Sequence, residues 1–268
     1  MCREVRWKVL FQEDEEDEEI EEDEEVRCQM RSEMRSQELT RHSLIAASAG
    51  VSSRRRLAAA ARIRRVYVEL AASRQHLLSS LLKGKAPVQW QHYPENDAVD
   101  FTRGYQWFYH SHDPEDRPDA IEHGHFHLFA RRSLWASRTA SRAEKHFKAL
   151  TGAKPSRSNT RHLISIGLNA NGLPVSLFTV NSWVTGDLML NAALTEELLL
   201  NMRLRTRHPS VDAVIESVIV LCADEVRATL MQRDQTLAQW SERSGRSVLL
   251  DQRLEVLSEV RIDLDSKL

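Results

Sequence analysis

Gly104-Tyr-Gln-Trp-Phe-Tyr-His-Ser-His112 and Glu122-His-Gly-His-Phe-His-Leu-Phe129 are the two stretches whose reading decides the fold. In each, bulky apolar residues interleave with histidine at period two. That is the pattern of a β-strand, whose successive side chains point to opposite faces. Strands are expected over 104–112 and 121–130. In the first, Tyr105, Trp107 and Tyr109 share one face, and Gln106, Phe108, His110 and His112 share the other. In the second, Phe126 and Leu128 oppose Ile121, His123, His125, His127 and Phe129.

Directly opposed residues of an antiparallel pair point the same way. Placing the most apolar faces together sets Trp107 opposite Phe126 and His110 opposite His123. A one-residue slip would set histidines against aromatics. Burial thus puts all five imidazoles on one side of the sheet, and it puts Glu122 on the other.

Working outward, residues 41–83 carry a helical stripe of Leu57, Ile63, Val66, Leu70, Leu77, Leu78 and Leu81, ended by Gly84. Tyr93-Pro-Glu-Asn-Asp97 reads as loop, and the two prolines of Asp113-Pro-Glu-Asp-Arg-Pro118 exclude a strand interior. A polar helix is expected over 132–150. His162–Ile166 and Pro174–Val180 then flank Asn169-Ala-Asn-Gly172, a hairpin signal. Helices follow over 187–205 and 211–242, with a last strand at Val260–Leu264. The fold class is α+β, a central antiparallel β-sheet flanked by N-terminal and C-terminal helices. Residues 1–40 are expected as a disordered acidic tail. Residues 41–268 form a single domain, with the histidine-rich sheet at 88–186 and a helical part at 187–258.

The net charge of −2 over 268 residues conceals an asymmetry. Twelve of the thirteen residues from Glu13 to Glu25 are acidic, and without them 27 acidic residues face 37 basic ones. Such a run repels itself and buries no apolar surface. Arg54, Arg55, Arg56, Arg62, Arg64 and Arg65 read as a solvated helix face rather than a nucleic-acid contact, although the tail could fold back on them. Cys2, Cys28 and Cys222 make neither a disulfide framework nor a zinc Cys-x-x-Cys pair. No apolar run is long enough for a membrane span. These features predict a cytoplasmic protein. P-loop, dinucleotide-binding, Gly-x-Ser-x-Gly and His-Glu-x-x-His motifs are absent, which disfavours nucleotide-driven and serine-hydrolase chemistry.

Imidazole is the commonest neutral ligand of zinc and iron. His110, His112, His123, His125 and His127 are therefore the candidate metal ligands. His110, His123 and His125 are expected to bind directly, and His112 or His127 to serve as a fourth ligand or support. His162, at the start of the next hairpin, lies within reach. Glu122, Asp97 and Tyr105, with Asp100, are the candidates for proton transfer, and Glu122 ranks lower because of its face. Gly104-x5-His110-x-His112 copies the start of a cupin motif, but Glu115 comes one residue too early, Asp116 stands where the motif wants Glu, and no second motif follows.

Trp90-Gln-His-Tyr-Pro94, Tyr109-His-x-His112, Glu122-His-Gly-His-Phe-His-Leu-Phe129 and Leu177-Phe-Thr-x-Asn-x-Trp-Val-Thr-Gly186 together resemble an uncharacterised bacterial family, a domain of unknown function. The resemblance covers roughly residues 45–260 and carries no activity with it. It implies a single domain with the tail outside, and a histidine region grouped with Asn181, Trp183 and Thr185. The leading expectation is a metal-dependent enzyme, hydrolytic or oxidative, using zinc or iron on a small-molecule substrate. The alternatives are a non-catalytic metal- or ligand-binding protein, or an interaction module built on the acidic tail and the Arg-rich helix.

Overall fold

A computed structural model describes residues 51–112, 122–154, 157–242 and 247–268. The acidic tail, Cys2, Cys28, the proline-containing connection with Glu115 and Asp116, Ile121 and Gly245 lie outside the described residues.

Six strands form one sheet in chain order, β1 to β6. They are Tyr93–Asp100, Tyr105–Ser111, Gly124–Arg131, Thr160–Leu168, Pro174–Val180 and Val256–Arg261, and every neighbouring pair is antiparallel. Ordered this way, each strand pairs with its predecessor in the chain, and β6 arrives after the longest excursion. The Asn169 side chain organises the β4–β5 turn by accepting from the backbone N–H groups of Asn171 and Leu173, while Gly172 takes φ +73°.

Helices precede and follow the sheet, as an α+β reading requires. α1 (Ser53–Ala72) starts at a Ser52 cap whose hydroxyl accepts from the Arg55 N–H, and it buries Ala59, Ala60, Ile63 and Val66. A short α2 (Ser79–Leu82) follows. α3 (Arg132–Trp135) and α4 (Arg142–Thr151) divide the segment expected as one polar helix. After α5 (Ser182–Thr185) and α6 (Ala192–Leu200), the long C-terminal stripe breaks at Cys222 into α7 (Pro209–Leu221) and α8 (Ala223–Ser241).

One face of the sheet packs into the main core. Tyr105, Trp107, Tyr109, Phe126, Leu128, Ala130, Ile164, Ile166 and Leu177 meet the apolar residues of α1, α6, α7 and the first half of α8 there. Polar pins fix this packing. The Trp107 indole N–H donates to Asp212 Oδ1 at 2.9 Å, and the Tyr105 hydroxyl donates to the Leu198 carbonyl at 2.9 Å. Arg56 reaches the Leu221 carbonyl and Asp224, and Arg62 reaches Glu216, so part of the Arg-rich face clamps α1 onto the C-terminal helices.

Three strand expectations are corrected by pairing. β1 begins at Tyr93, inside the segment expected as loop. Its register shifts between Tyr93 and Ala98, so the Glu95–Asp97 stretch bulges, with Asp97 at φ +52°. β3 starts at Gly124 rather than 121. The last strand starts four residues earlier than expected, at Val256, and pairs Val260 with Leu177.

The β2–β3 register also differs by two residues. Tyr109, not Trp107, faces Phe126, and His110 faces His125 rather than His123. Apolar residues recur at every second position in both strands, so a shift of two costs little burial and leaves the side chains of the paired residues on their expected faces.

Candidate metal centre

The sheet's second face carries the histidines. His110 from β2, His125 and His127 from β3, and His162 from β4 are all buried, with His112 half-buried beyond the end of β2. His162 is on this face because of a local irregularity. Leu128 pairs with Ile164, but Phe129 pairs with His162, so Leu163 is an extra residue in the ladder. Ile164, Ile166 and Leu168 point into the helical core, and strict alternation would send His162 there too. The bulge reverses the parity and aims its imidazole at His127.

Three Nε2 atoms converge. His110 and His125 are 2.7 Å apart, His125 and His127 3.0 Å, and His127 and His110 3.3 Å. A hydrogen bond needs one N–H and one lone pair. Among three mutually facing nitrogens at least two must be alike, so no choice of tautomers satisfies all three contacts. One cation accepting three lone pairs does. A triangle with these sides has a circumradius of about 1.8 Å, so an ion about 2.0–2.1 Å from each nitrogen would sit about 1 Å out of its plane. Ligand–ligand edges of about 3.0 Å suit octahedral sites and about 3.3 Å tetrahedral ones, so the site fits iron and zinc alike. His112 overlaps this set: one nitrogen each of His110, His112 and His125 lie within 4.8 Å of one another.

Two of the outer nitrogens have neighbours that can orient them. His127 Nδ1 lies 3.0 Å from Ser165 Oγ and 3.1 Å from His162 Nε2. The Glu122 carboxylate approaches His125 Nδ1 at 3.6 Å, an electrostatic contact longer than a hydrogen bond, and accepts from Ser176 Oγ at 3.0 Å. Carboxylate and hydroxyl partners on the remote nitrogen are the usual means of orienting a ligating imidazole.

Aromatic rings wall the cluster. Phe108 lies 5.0 Å from His127, Phe178 meets His125 edge-on at 4.8 Å, Phe129 meets His162 at 5.3 Å, and Trp90 meets His112 at 4.7 Å.

Burial among apolar rings disfavours the imidazolium form. It depresses the His110 pKa to about 2, aided by His125, His112 and His92. It likewise takes His162 down to about 3, aided by Arg233 and His125, and holds His127 well below its ordinary value. These three are therefore neutral at pH 7, the form in which imidazole offers a lone pair.

Of the ligands expected from sequence, the structure brings together His110, His112, His125 and His127 and leaves out His123. His123 precedes β3, is exposed, and lines a cavity with Tyr109. Glu122 moves the other way. Because β3 begins at Gly124, Glu122 is not bound by the pleat's alternation, and its carboxylate folds onto the histidine face. Gly167 makes the room: a Cβ there would stand 2.2 Å from both Glu122 Oε2 and Ser176 Oγ. A glycine in mid-strand is the sequence signal that could have revealed this approach.

Asp97 bonds His92 Nδ1 at 3.0 Å and the Gln106 side-chain amide at 2.7 Å, so it meets the cluster only through His92, which stacks on Phe108. Tyr105 faces the helices and its hydroxyl is bonded there, so it is turned away from the imidazoles. Asp100 anchors the β1–β2 turn and the Arg205 N–H. Asn181 and Trp183, grouped with the histidines by resemblance, instead hold the C-terminal segment through the carbonyls of Val248 and Leu254.

Fold and site together define an α+β protein whose six-stranded antiparallel sheet buries a cluster of histidines able to hold a metal ion. The chain belongs to the family described as Domain of unknown function (DUF6969), with a match across residues 57–262. No curated protein and no solved structure matches it. No helix among the described residues is long and apolar enough to cross a membrane.

Proposed function

We propose that the protein is a metal-dependent enzyme, hydrolytic or oxidative, whose zinc or iron ion is held by Nε2 of His110, His125 and His127. The observation that carries this reading is the triangle of Nε2 atoms with edges of 2.7, 3.0 and 3.3 Å, which hydrogen bonding alone cannot satisfy. Three protein ligands leave coordination positions open, and in such a site the metal supplies Lewis-acid activation of water or of a substrate oxygen. Ser165 and His162 orient His127, and Glu122 orients His125. Glu122 is also the carboxylate nearest the cluster, which makes it the candidate for moving a proton. The aromatic rings around the site restrict water and favour a small, largely apolar substrate.

A second reading rests on His112. Its proximity to His110 and His125 makes it a fourth ligand that would close the coordination sphere and give a non-catalytic metal site.

Elemental analysis of the untagged chain, with and without reconstitution by zinc or ferrous iron, tests both. About one ion per chain, lost in His125→Ala, is expected. Less than about 0.2 ion per chain after reconstitution would overturn the metal centre. Under the catalytic reading His112→Ala keeps its metal; under the second it loses affinity steeply, as removal of a ligand requires.

A further inference from the structure

The imidazole cluster is a closed site. His110, His125, His127 and His162 are buried, and so are Phe108, Phe129 and Phe178 around them. His112 is half-buried, but both of its ring nitrogens are covered. An ion or a substrate must therefore pass a side chain that borders the cluster and also reaches solvent. Among the described residues, two aromatic neighbours of the imidazoles do so. Trp90 is 58% exposed, and the His92 side chain is 44% exposed. Both belong to residues 83–92, which join α2 to β1 and form neither helix nor strand.

The two rings are held very differently. His92 stacks on Phe108 with centroids 3.6 Å apart and planes 9° from parallel, and its Nδ1 lies 3.0 Å from Asp97 Oδ1. Asp97 is fixed in turn by the Gln106 side-chain amide at 2.7 Å. Trp90 has no such ties. Its indole N–H bonds none of the described residues. Its ring meets the cluster edge-on, with centroids 5.8 Å from His110 and 4.7 Å from His112. A few edge contacts are a weak hold, so the indole can swing aside at little cost.

The backbone around it is clipped. The Val88 N–H donates to the Tyr93 hydroxyl at 2.9 Å, that hydroxyl donates to Gln91 Oε1 at 3.2 Å, and the Gln91 N–H donates to the Val88 carbonyl at 3.2 Å. Within this turn Trp90 sits at φ +61°, a left-handed conformation that tryptophan adopts only where its surroundings impose it. Motion is thereby confined to the Trp90 side chain.

We propose that Trp90 controls access to the metal centre, and that an ion or substrate enters from the side of His110 and His112 by displacing the indole from their edges. This role rests on the metal reading above, whereas the closure of the site by Trp90 does not.

Stopped-flow uptake of cobalt(II) by the full chain, followed by its visible absorption, and release into excess EDTA test the role. A gate adds to the barrier without favouring either end state. Trp90→Ala should therefore speed uptake and release alike, by about tenfold, and leave stoichiometry and affinity unchanged. Trp90→Phe, which keeps a smaller ring, should fall between. Phe101→Ala removes an exposed ring that meets Arg131 rather than the imidazoles, and should change neither rate. Trp90 lies outside the core, so the far-UV circular dichroism of Trp90→Ala should match that of the native chain. In the metal-free chain, carbethoxylation of His110 and His112 by diethyl pyrocarbonate, mapped by mass spectrometry, should also accelerate in Trp90→Ala. Uptake and release left unchanged would overturn the proposal. So would faster release alone with affinity lost, which would make Trp90 a support for the ligands. A native chain that takes up no cobalt would remove the metal reading, and unchanged carbethoxylation would then remove the gate as well.

Discussion

Moving the metal-free protein from pH 7 to pH 5 is expected to remove about 4 kcal/mol of its stability, through two of the buried imidazoles alone. An unfolded histidine titrates near 6.5, whereas His162 titrates near 3 and His110 near 2 in the folded chain, chiefly because burial disfavours the charge. The folded state thus binds these protons more weakly. Each group's contribution is complete above about pH 6.5 and falls as the pH drops toward the folded value. At pH 5 the unfolded imidazole is almost fully protonated and the folded one hardly at all, which amounts to about 2 kcal/mol per histidine, against almost nothing at pH 7. Both folded values lie well below 5, so the two residues lose nearly the same amount. His127, also held below its ordinary value by burial, adds in the same direction. Domains have about 5–15 kcal/mol in total, so this loss is a large fraction of the stability of the metal-free chain. Urea unfolding in the presence of a chelator, followed by circular dichroism at pH 7, 6 and 5, measures the change. His162→Asn should reduce the pH-dependent part by about 2 kcal/mol whatever it does to stability at pH 7. A total change under about 1 kcal/mol, or an unaltered pH dependence in His162→Asn, would refute the account of these histidines as buried and neutral.

Two substitutions separate the faces of the sheet. Gly167→Ala places a methyl group 2.2 Å from the Glu122 and Ser176 oxygens and must displace the carboxylate from His125. Metal affinity, read by competition with a chromophoric chelator, should fall about 10–100-fold, as loss of an orienting partner does. Asp212→Ala strips the acceptor from the Trp107 indole and from the Thr206 N–H and hydroxyl on the helical face. At about 1–3 kcal/mol per orphaned buried donor, it should lower the urea midpoint markedly while leaving metal stoichiometry unchanged.

Much of the fold was legible because the apolar pattern is strong at both periods. The alternation in 105–111 and 124–131, the Asn-Gly turn and the C-terminal stripe each name their element. Legibility failed where a single side chain overrode the pattern. Tyr93–Asp97 looked like a loop because Pro94, Asn96 and Asp97 are loop residues. An edge strand tolerates them because only one of its sides is paired and the other carries no ladder to interrupt. The helix expected over 211–242 breaks at Cys222, where no glycine or proline marks it.

The division at the site is similar. Parity alone placed the imidazoles of His110, His125 and His127 on one face, since period two survives any even shift of register. Everything that turns a shared face into a metal centre came from tertiary contacts. Register set His110 against His125, an extra residue at Leu163 turned His162 inward, and the absent side chain at Gly167 admitted Glu122. The register expected from burial had set His123 opposite His110, but β3 starts at Gly124 and leaves His123 outside. The sequence determined which face the histidines occupy, because alternation is a property of one strand. Only the folded sheet decided which nitrogens meet, because opposition, bulges and cavities belong to pairs of strands.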